Sequence, residues 1–332
     1  MDKLNVIAVV SNPVRFKRRY ELYKQFEKYV KANPEVNLLT VEQAFGERPF
    51  EITDRSNPWH LQLRTENELW AKENMINLGV AHLSRINPDW KYVAWVDADV
   101  TFARPDWAEE TVHQLQHYHV VQMFRYAHDL GPNNETIENA PRTGFVYRYF
   151  HSEFTETSYS KPYQTNFNKG LVLPDYYGDF GIMGWHPGYA WATTKDAWNH
   201  MGGLIDYAIL GNGDLHMAAG WIGQIHRTFH GDMLKNNPRF AEKLLEWQDR
   251  CEKYILHDVG YVDGSLLHYW HGKKAARGYQ DRSKIITQHK YNPDIHLKVD
   301  HQGMYQLTDK NIMLRDDIRR YFRSRSEDSI DL

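Results

Sequence analysis

The chain has 332 residues, of which 42% are hydrophobic and 25% charged, and its formal net charge is −3. These values are typical of a folded globular protein, and they exclude a polycation that binds nucleic acid with its whole surface. A single cysteine, Cys251, excludes an internal disulfide and fits a reducing compartment. The sequence shows neither a signal peptide nor an apolar run long enough to cross a membrane, so we expect a cytoplasmic protein.

Strands and helices alternate over the first 125 residues or so. Short β-branched or apolar runs predict strands at residues 6–10, 37–42, 92–96 and 120–124. Apolar residues at helical spacing predict helices at 15–31, 66–83 and 106–118. This alternation predicts an α/β fold whose mostly parallel sheet is flanked by helices.

The second half of the chain is less regular. Residues from about 130 to 180 are rich in Asn, Gly, Pro, Tyr and Ser, which predicts long loops. Beyond them the patterns predict a strand at 189–192 and helices at 194–200, 214–222, 238–257 and 309–325. A short apolar segment at 266–272 contains two histidines, and residues 273–290 are basic.

Two carboxylates, Asp97 and Asp99, follow the strand predicted at 92–96 with one small residue between them. In open α/β sheets, ligands bind beyond the carboxyl ends of the strands. Carboxylates at that position suit a divalent metal that holds a phosphate-bearing ligand. We expect Asp99 to bind the metal directly, and Asp97 to hold the ribose or a metal-bound water.

Four segments together resemble a known family. Residues 5–13 form the first strand and its turn, and residues 68–79 form a helix with a basic residue that ends in Asn77-Leu-Gly79. The Asp97-Ala-Asp99 motif and a glycine-rich region at 188–214 follow. In order and spacing these segments resemble glycosyltransferases of the GT-A fold, within the group of β-1,4-galactosyltransferases and polypeptide GalNAc-transferases, including compact phage and bacterial members.

The resemblance implies a domain organisation as well as a fold. It covers roughly residues 4–272 and implies a GT-A catalytic domain over residues 1–272. Residues 1–125 would form its nucleotide-sugar-binding half, and residues 126–272 its acceptor and catalytic half. The basic segment at 273–332 lies outside the match, and we expect it to pack on this domain as a C-terminal extension.

The same resemblance implies a metal-dependent transfer of a hexosyl or pentosyl unit from a nucleoside-diphosphate sugar, with a uridine diphosphate sugar as the expected donor, to a hydroxyl acceptor. The metal-binding histidine of the family corresponds to His268 or His271, and the implied ion is Mn²⁺ or Mg²⁺. Such an ion stabilises charge on the leaving diphosphate, and mixed imidazole and carboxylate ligation suits Mn²⁺. Asp214 stands where the family has its general base, although the family's Glu-Asp pair is Gly213-Asp214 here.

Further residues are predicted to bind the nucleotide-sugar donor. They are Ser11, Asn12, Glu42, Lys72, Asp97, Lys273 and Arg277. The first three follow or end the first two strands, where a nucleotide would lie in a fold of this kind. The three cations are suited to bind a diphosphate, because ammonium and guanidinium groups form strong hydrogen bonds to phosphate.

The sequence leaves the acceptor and two alternative functions open. The basic segment after Gly272 makes DNA with hydroxymethylated bases, as in bacteriophages, a candidate acceptor, which the enzyme would reach in the major groove or by base flipping. Asp97-Ala-Asp99-Val-Thr101 also fits the motif of haloacid-dehalogenase-like phosphatases, with Asp97 as nucleophile, although two predicted strands precede it here. A non-catalytic sugar- or nucleotide-binding module is the third interpretation.

Overall fold

The computed structural model describes residues 2–137, 140–151, 185–229 and 232–331. Its strands are β1 (Leu4–Ser11), β2 (Val36–Phe45), β3 (His60–Thr65), β4 (Tyr92–Val96), β5 (Val100–Phe102), β6 (Val120–Gln122), β7 (Tyr126–Asp129), β8 (Arg142–Thr143), β9 (Ala190–Thr194), β10 (Val259–Tyr261), β11 (Ser265–His268), β12 (Leu297–Val299) and β13 (Tyr305–Leu307). Its α-helices are α1 (Lys17–Lys31), α2 (Lys72–Ile86), α3 (Trp107–Gln114), α4 (Phe145–His151), α5 (Lys195–Met201), α6 (Gly213–Trp221), α7 (Met233–Asn236), α8 (Pro238–Glu252), α9 (Tyr279–Gln288), α10 (Pro293–His296) and α11 (Ile312–Arg323). Within these ranges, no helix has the length and apolar character needed to cross a lipid bilayer.

The main sheet has the strand order β10-β6-β9-β4-β1-β2-β3. Strand β1 pairs in parallel with β2 and β4, and β2 pairs in parallel with β3. Strand β9 runs antiparallel between β4 and β6, and β10 extends the sheet in parallel with β6. The predicted α/β class, with a mostly parallel sheet flanked by helices, is confirmed.

Helices cover both faces of this sheet. Val6 belongs to the same apolar cluster as Phe26 of α1, whereas its neighbour Ile7 belongs to the cluster that contains Met75 of α2. Successive side chains of a strand point to opposite faces, so a strand covered on both sides is apolar throughout. The uninterrupted apolar run of β1 is therefore explained by burial on both faces.

A smaller sheet has the strand order β5-β11-β7-β8, and its strand β5 begins directly after the Asp97-Ala-Asp99 motif. Strand β11 pairs antiparallel with β5 and parallel with β7, and this register sets His268 beside Val100 on one side and Asp129 on the other. The backbone N–H of Tyr269 donates to the carbonyl oxygen of Asp99 at 2.8 Å. This pairing brings the carboxyl end of β4, the end of β11 and the end of β7 to one place.

The structure corrects some predicted elements. Helix α2 begins at Lys72 rather than at residue 66, because local contacts hold the preceding residues in a non-helical path: the Asn67 N–H donates to Thr65 Oγ1 at 3.0 Å and the Trp70 N–H to the Ile209 carbonyl at 2.9 Å. The loop prediction for residues 130–180 is wrong over 145–151, which form α4. The remainder of that prediction falls largely on residues 152–184, which lie outside the described residues.

Candidate active site

Asp99 and two histidines converge beyond the carboxyl end of β4. The Nε2 atom of His271 lies 3.0 Å from Asp99 Oδ2, and Nε2 of His268 lies 3.8 Å from the same oxygen. The two Nε2 atoms are 3.3 Å apart, and one donor atom from each residue falls within 4.8 Å of the others. We call Asp99, His268 and His271 the triad.

Each histidine of the triad has a carboxylate near its Nδ1 atom, on the side of the ring away from the triad. His268 Nδ1 lies 2.6 Å from Asp129 Oδ1, and Glu327 Oε2 is 3.9 Å from Nδ1 of His271. Tyr189 also donates its hydroxyl to Asp129 at 3.2 Å. A carboxylate behind an imidazole favours a proton on Nδ1, which leaves the Nε2 lone pair for a cation.

The electrostatics of the triad suit a bound cation. Burial alone would favour neutral Asp99, but His268 and His271 hold the pKa of this carboxyl well below its usual range. Burial and Arg277 lower the pKa of His271 to about 4, so this imidazole is neutral near pH 7. Asp99 Oδ1 is buried and has no hydrogen-bond partner among the described residues. An anionic oxygen with spare bonding capacity beside two imidazoles fits a divalent metal ion.

A second charged cluster lies beside the triad and comprises Lys72, Glu73, Asp97 and Asp214. Lys72 at the start of α2 forms an ion pair and hydrogen bond with Asp97. Burial raises the pKa of Asp97, an effect that Lys72 opposes and Asp99 reinforces. Burial alone would lower the pKa of Lys72, but Asp97, Glu73 and Asp214 raise it above its ordinary value, so Lys72 stays protonated.

Glu73 reaches this cluster from the first turn of α2 and is almost fully buried. Its Oε1 atom would lie 2.9 Å from a Cβ atom added at Gly213, so the absence of a side chain there leaves room for the Glu73 carboxyl. Burial raises the pKa of Glu73 to about 7, Lys72 opposes that rise and Asp214 adds to it. The cluster therefore contains a carboxyl group that exchanges its proton near neutral pH.

Asp214 occupies the first turn of α6, and Asn212 rather than Asp214 is the N-cap residue of that helix. Asp214 Oδ1 accepts a hydrogen bond from the Leu215 N–H at 2.9 Å. The side chain also lines the cavity, so the structure places this carboxylate where a bound molecule can reach it.

One cavity of about 1170 Å³ contains both the triad and the second cluster. Of the residues predicted from the sequence to bind donor, metal or acceptor, it is lined by Ser11, Lys72, Asp97, Asp99, Asp214, His268, His271 and Arg277. Its volume lies slightly above the range common for sites that bind drug-sized molecules. The fold thus brings together eight residues from six separate segments of the chain.

Three of the predicted donor-binding residues lie elsewhere. The Asn12 side chain closes its own turn, because its Oδ1 accepts from the Phe16 N–H at 2.9 Å and its Nδ2 donates to the Phe16 carbonyl at 2.8 Å. Glu42 is buried and accepts hydrogen bonds from backbone N–H groups of residues 51–53. Lys273 is exposed and is not among the residues that line the cavity.

Sequence reasoning missed several charged residues of the cavity wall. They are Arg19, Glu73, Arg142, Arg282, Arg325 and Glu327. Arg142 lies 3.1 Å from Asp129, and Arg282 donates to Asn212 beside Asp214. These residues come from α1, α2, β8, α9 and the C-terminal segment, and apart from Arg282, which lies in the basic stretch, no local motif marks them in the sequence.

Comparisons with known proteins give little information on the function of this site. No protein-family profile and no curated protein matches the chain. A solved structure from Desulfovibrio desulfuricans G20, described as a "putative nucleotide-diphospho-sugar transferase", aligns over 98% of this chain and 99% of its own, with 9% identity and a TM-score of 0.32. At this level the likeness carries no information on activity.

Proposed function

We propose that this protein is a metal-dependent glycosyltransferase that moves a sugar from a nucleoside-diphosphate sugar to a hydroxyl group of an acceptor. The proposal rests on one observation: a single cavity at the carboxyl edge of the main sheet is lined by the triad, by the cations Lys72 and Arg277, and by the carboxylate of Asp214. Such an edge is where α/β sheets bind nucleotides. The resemblance found in the sequence favours a uridine diphosphate sugar as the donor.

In this proposal the triad of Asp99, His268 and His271 would hold Mn²⁺ or Mg²⁺. The bound ion would supply positive charge at the leaving diphosphate. Arg277 is buried on the cavity wall and raises the local positive potential, as its lowering of the pKa of His271 shows. We assign it to the phosphates of the donor, since a guanidinium pairs well with phosphate oxygens.

Asp214 is proposed as the general base. It would take the proton of the acceptor hydroxyl while that oxygen bonds to the anomeric carbon, and the bond from this carbon to the diphosphate oxygen breaks. The proton ends on Asp214, and the nucleoside diphosphate leaves with the electron pair of the broken bond. A carboxylate within hydrogen-bond reach of the nucleophile is what this step needs.

The test is nucleotide release from a panel of nucleotide sugars, with Mn²⁺ and with chelator. Slow metal-dependent hydrolysis of one donor, lost in Asp99→Asn and kept in Asp89→Asn, would support the proposal and name the donor. Asp89 is an exposed residue outside the cavity, so its variant controls for an Asp-to-Asn change as such. Release of phosphate from phosphomonoesters that depends on Asp97, without donor hydrolysis, would favour the phosphatase instead.

DNA with hydroxymethylated bases is a candidate acceptor that needs its own measurement. Gel-shift titrations at low and high salt would detect a phosphate-driven interaction, because such binding weakens steeply with salt. Salt-dependent binding that is lost in Lys273→Glu would support DNA, since Lys273 is exposed. Absence of binding at low salt would exclude DNA and direct the search to small-molecule and protein acceptors.

A further inference from the structure

The C-terminal segment that follows α11, residues 324–331, contacts the triad on the Nδ1 side of His271. Within it, Glu327 is 1% exposed, although the residues on either side of it are exposed. Its Oε2 atom faces His271 Nδ1 at 3.9 Å, which is an electrostatic contact rather than a direct hydrogen bond. A buried carboxylate needs partners, because unpaired buried charges are costly.

Two arginines compensate the buried charge of Glu327. Arg19 of α1 binds both of its carboxylate oxygens, with Nη2 at 2.6 Å from Oε1, and Arg325 Nε donates to Oε1 at 2.5 Å. Both arginines also line the cavity. Glu327 therefore stands between two guanidinium groups and the triad, and it offsets positive charge that would otherwise disfavour a divalent cation.

Independent contacts fix the segment in this place. Asp328 accepts hydrogen bonds from the first two N–H groups of α1, those of Lys17 at 3.0 Å and Arg18 at 2.8 Å. The indole N–H of Trp270 donates to the Ser329 carbonyl at 2.7 Å. These bonds join the C-terminal segment to the helix that follows β1 and to the loop that carries His271.

Gly272 permits the close approach. Its φ is +85°, and an added Cβ would lie 2.6 Å from the Ser326 carbonyl oxygen and 3.0 Å from Glu327 Cα. Any larger residue at position 272 would displace the backbone at Ser326 and Glu327. The glycine next to His271 is therefore needed for the Glu327 side chain to lie behind that histidine.

We propose that Glu327 is a positioning residue of the metal site. It keeps His271 in the Nδ1-protonated form and screens the triad from the positive charges of Arg19 and Arg325. Metal affinity therefore depends on the docked C-terminal segment. This inference rests on the proposed function only in taking the triad as a metal site. Carboxylates behind metal-binding histidines commonly contribute about 10- to 100-fold to affinity.

The experiment is Mn²⁺ titration of the full chain without nucleotide, by calorimetry or by the electron paramagnetic resonance signal of free Mn²⁺. Wild type is compared with Glu327→Gln, which keeps the shape and removes the charge, and with Glu47→Gln, the same change at an exposed residue outside the cavity. We expect Glu327→Gln to bind Mn²⁺ about 10-fold more weakly or worse, and Glu47→Gln to bind it within about twofold of wild type, a margin below the usual change for a supporting carboxylate.

A second readout separates positioning from loss of fold. The ¹⁵N shifts of His271 report which ring nitrogen carries the proton, and we expect Glu327→Gln to shift His271 away from the Nδ1–H form while the melting temperature shows a folded protein. Unchanged affinity and tautomer in folded Glu327→Gln would overturn this inference and leave the proposed function standing, and equal weakening in Glu47→Gln would also overturn it. No Mn²⁺ binding by wild type would overturn the metal dependence of the proposed function, and this inference with it.

Discussion

The imidazole Nε2 of His271 lies 3.0 Å from Oδ2 of Asp99, although the two residues are far apart in the sequence. Asp99 follows the central strand β4 of the main sheet, and His271 follows β11 of the smaller sheet. A cation between them would therefore link the two sheets as well as bind a ligand. Metal binding is expected to stabilise the fold in addition to supporting activity.

Asp99→Asn is expected to weaken Mn²⁺ binding by more than about 100-fold, because loss of a residue that only supports a ligand already costs about 10- to 100-fold. Mn²⁺ should then no longer raise the melting temperature, as it should in wild type. Thermal melts with and without chelator measure both effects, with Asp89→Asn as the control. A metal-induced rise that survives in Asp99→Asn would contradict the assignment of this ligand.

Lys72→Met is expected to destabilise the fold and to weaken donor binding, because it leaves the partly buried Asp97 without its partner. We expect a loss of about 1 to 3 kcal/mol, which is less than for a fully buried ion pair. Urea unfolding measures it. The double variant Lys72→Met/Asp97→Asn should recover part of the loss, since neither charge remains, and strict additivity of the two single changes would argue against the pair.

Arg277→Gln and Lys273→Gln are expected to differ, although both cations belong to the same basic segment. Arg277 is buried on the cavity wall, whereas Lys273 is exposed outside it. Loss of a guanidinium that contacts phosphate should lower donor affinity by about 10-fold or more, the scale of a charge-assisted hydrogen bond. Fluorescence or calorimetric titration with the nucleoside diphosphate tests this, and equal effects of the two variants would place the phosphates elsewhere.

Glu73→Gln is expected to change how stability depends on pH. The pKa of Glu73 rises from 4.5 to about 7 in the fold, so between these values the folded chain binds more protons than the unfolded chain. Stability contributed by this group is therefore present at low pH and is lost as pH rises to about 7. From about pH 5 to pH 8, wild type should lose about 2 to 3 kcal/mol more than Glu73→Gln.

Chemical unfolding across this pH range measures the effect. Glu47→Gln serves as the matched control, because Glu47 is exposed and is not among the residues that line the cavity. If the curves of wild type and Glu73→Gln run parallel, the proton of Glu73 does not titrate near neutral pH.

Much of the main sheet could be predicted from local sequence. Strand β4 has the predicted bounds, and β1 and β2 extend the predicted runs by a few residues, because strands buried on both faces leave an uninterrupted apolar signal. Strand β3 was missed, since His60–Thr65 is a half-buried edge strand with polar residues between apolar ones. Its weak alternation is hard to distinguish from a loop.

The triad was predictable in composition but not in geometry. Asp99 stands out at the end of an apolar strand, and His268 and His271 share a short apolar segment. Asp129 and Glu327 carry no such mark, because Asp129 is a lone acid at the end of a short strand and Glu327 adjoins Asp328 in a polar stretch. Their roles come from strand register and from the docking of a distant segment, which local patterns do not encode.

Strand β9 has a consequence for how the chain folds. It inserts between β4 and β6, yet it follows both of them at a considerable distance along the chain. The centre of the sheet is therefore completed by non-local pairing, and such pairing makes folding slow. During synthesis, β4 and β6 would have unpaired edges until residues 190–194 emerge, and open edges of apolar strands invite association with other chains. We expect the yield of active protein to depend on how well nascent chains are kept apart during this interval.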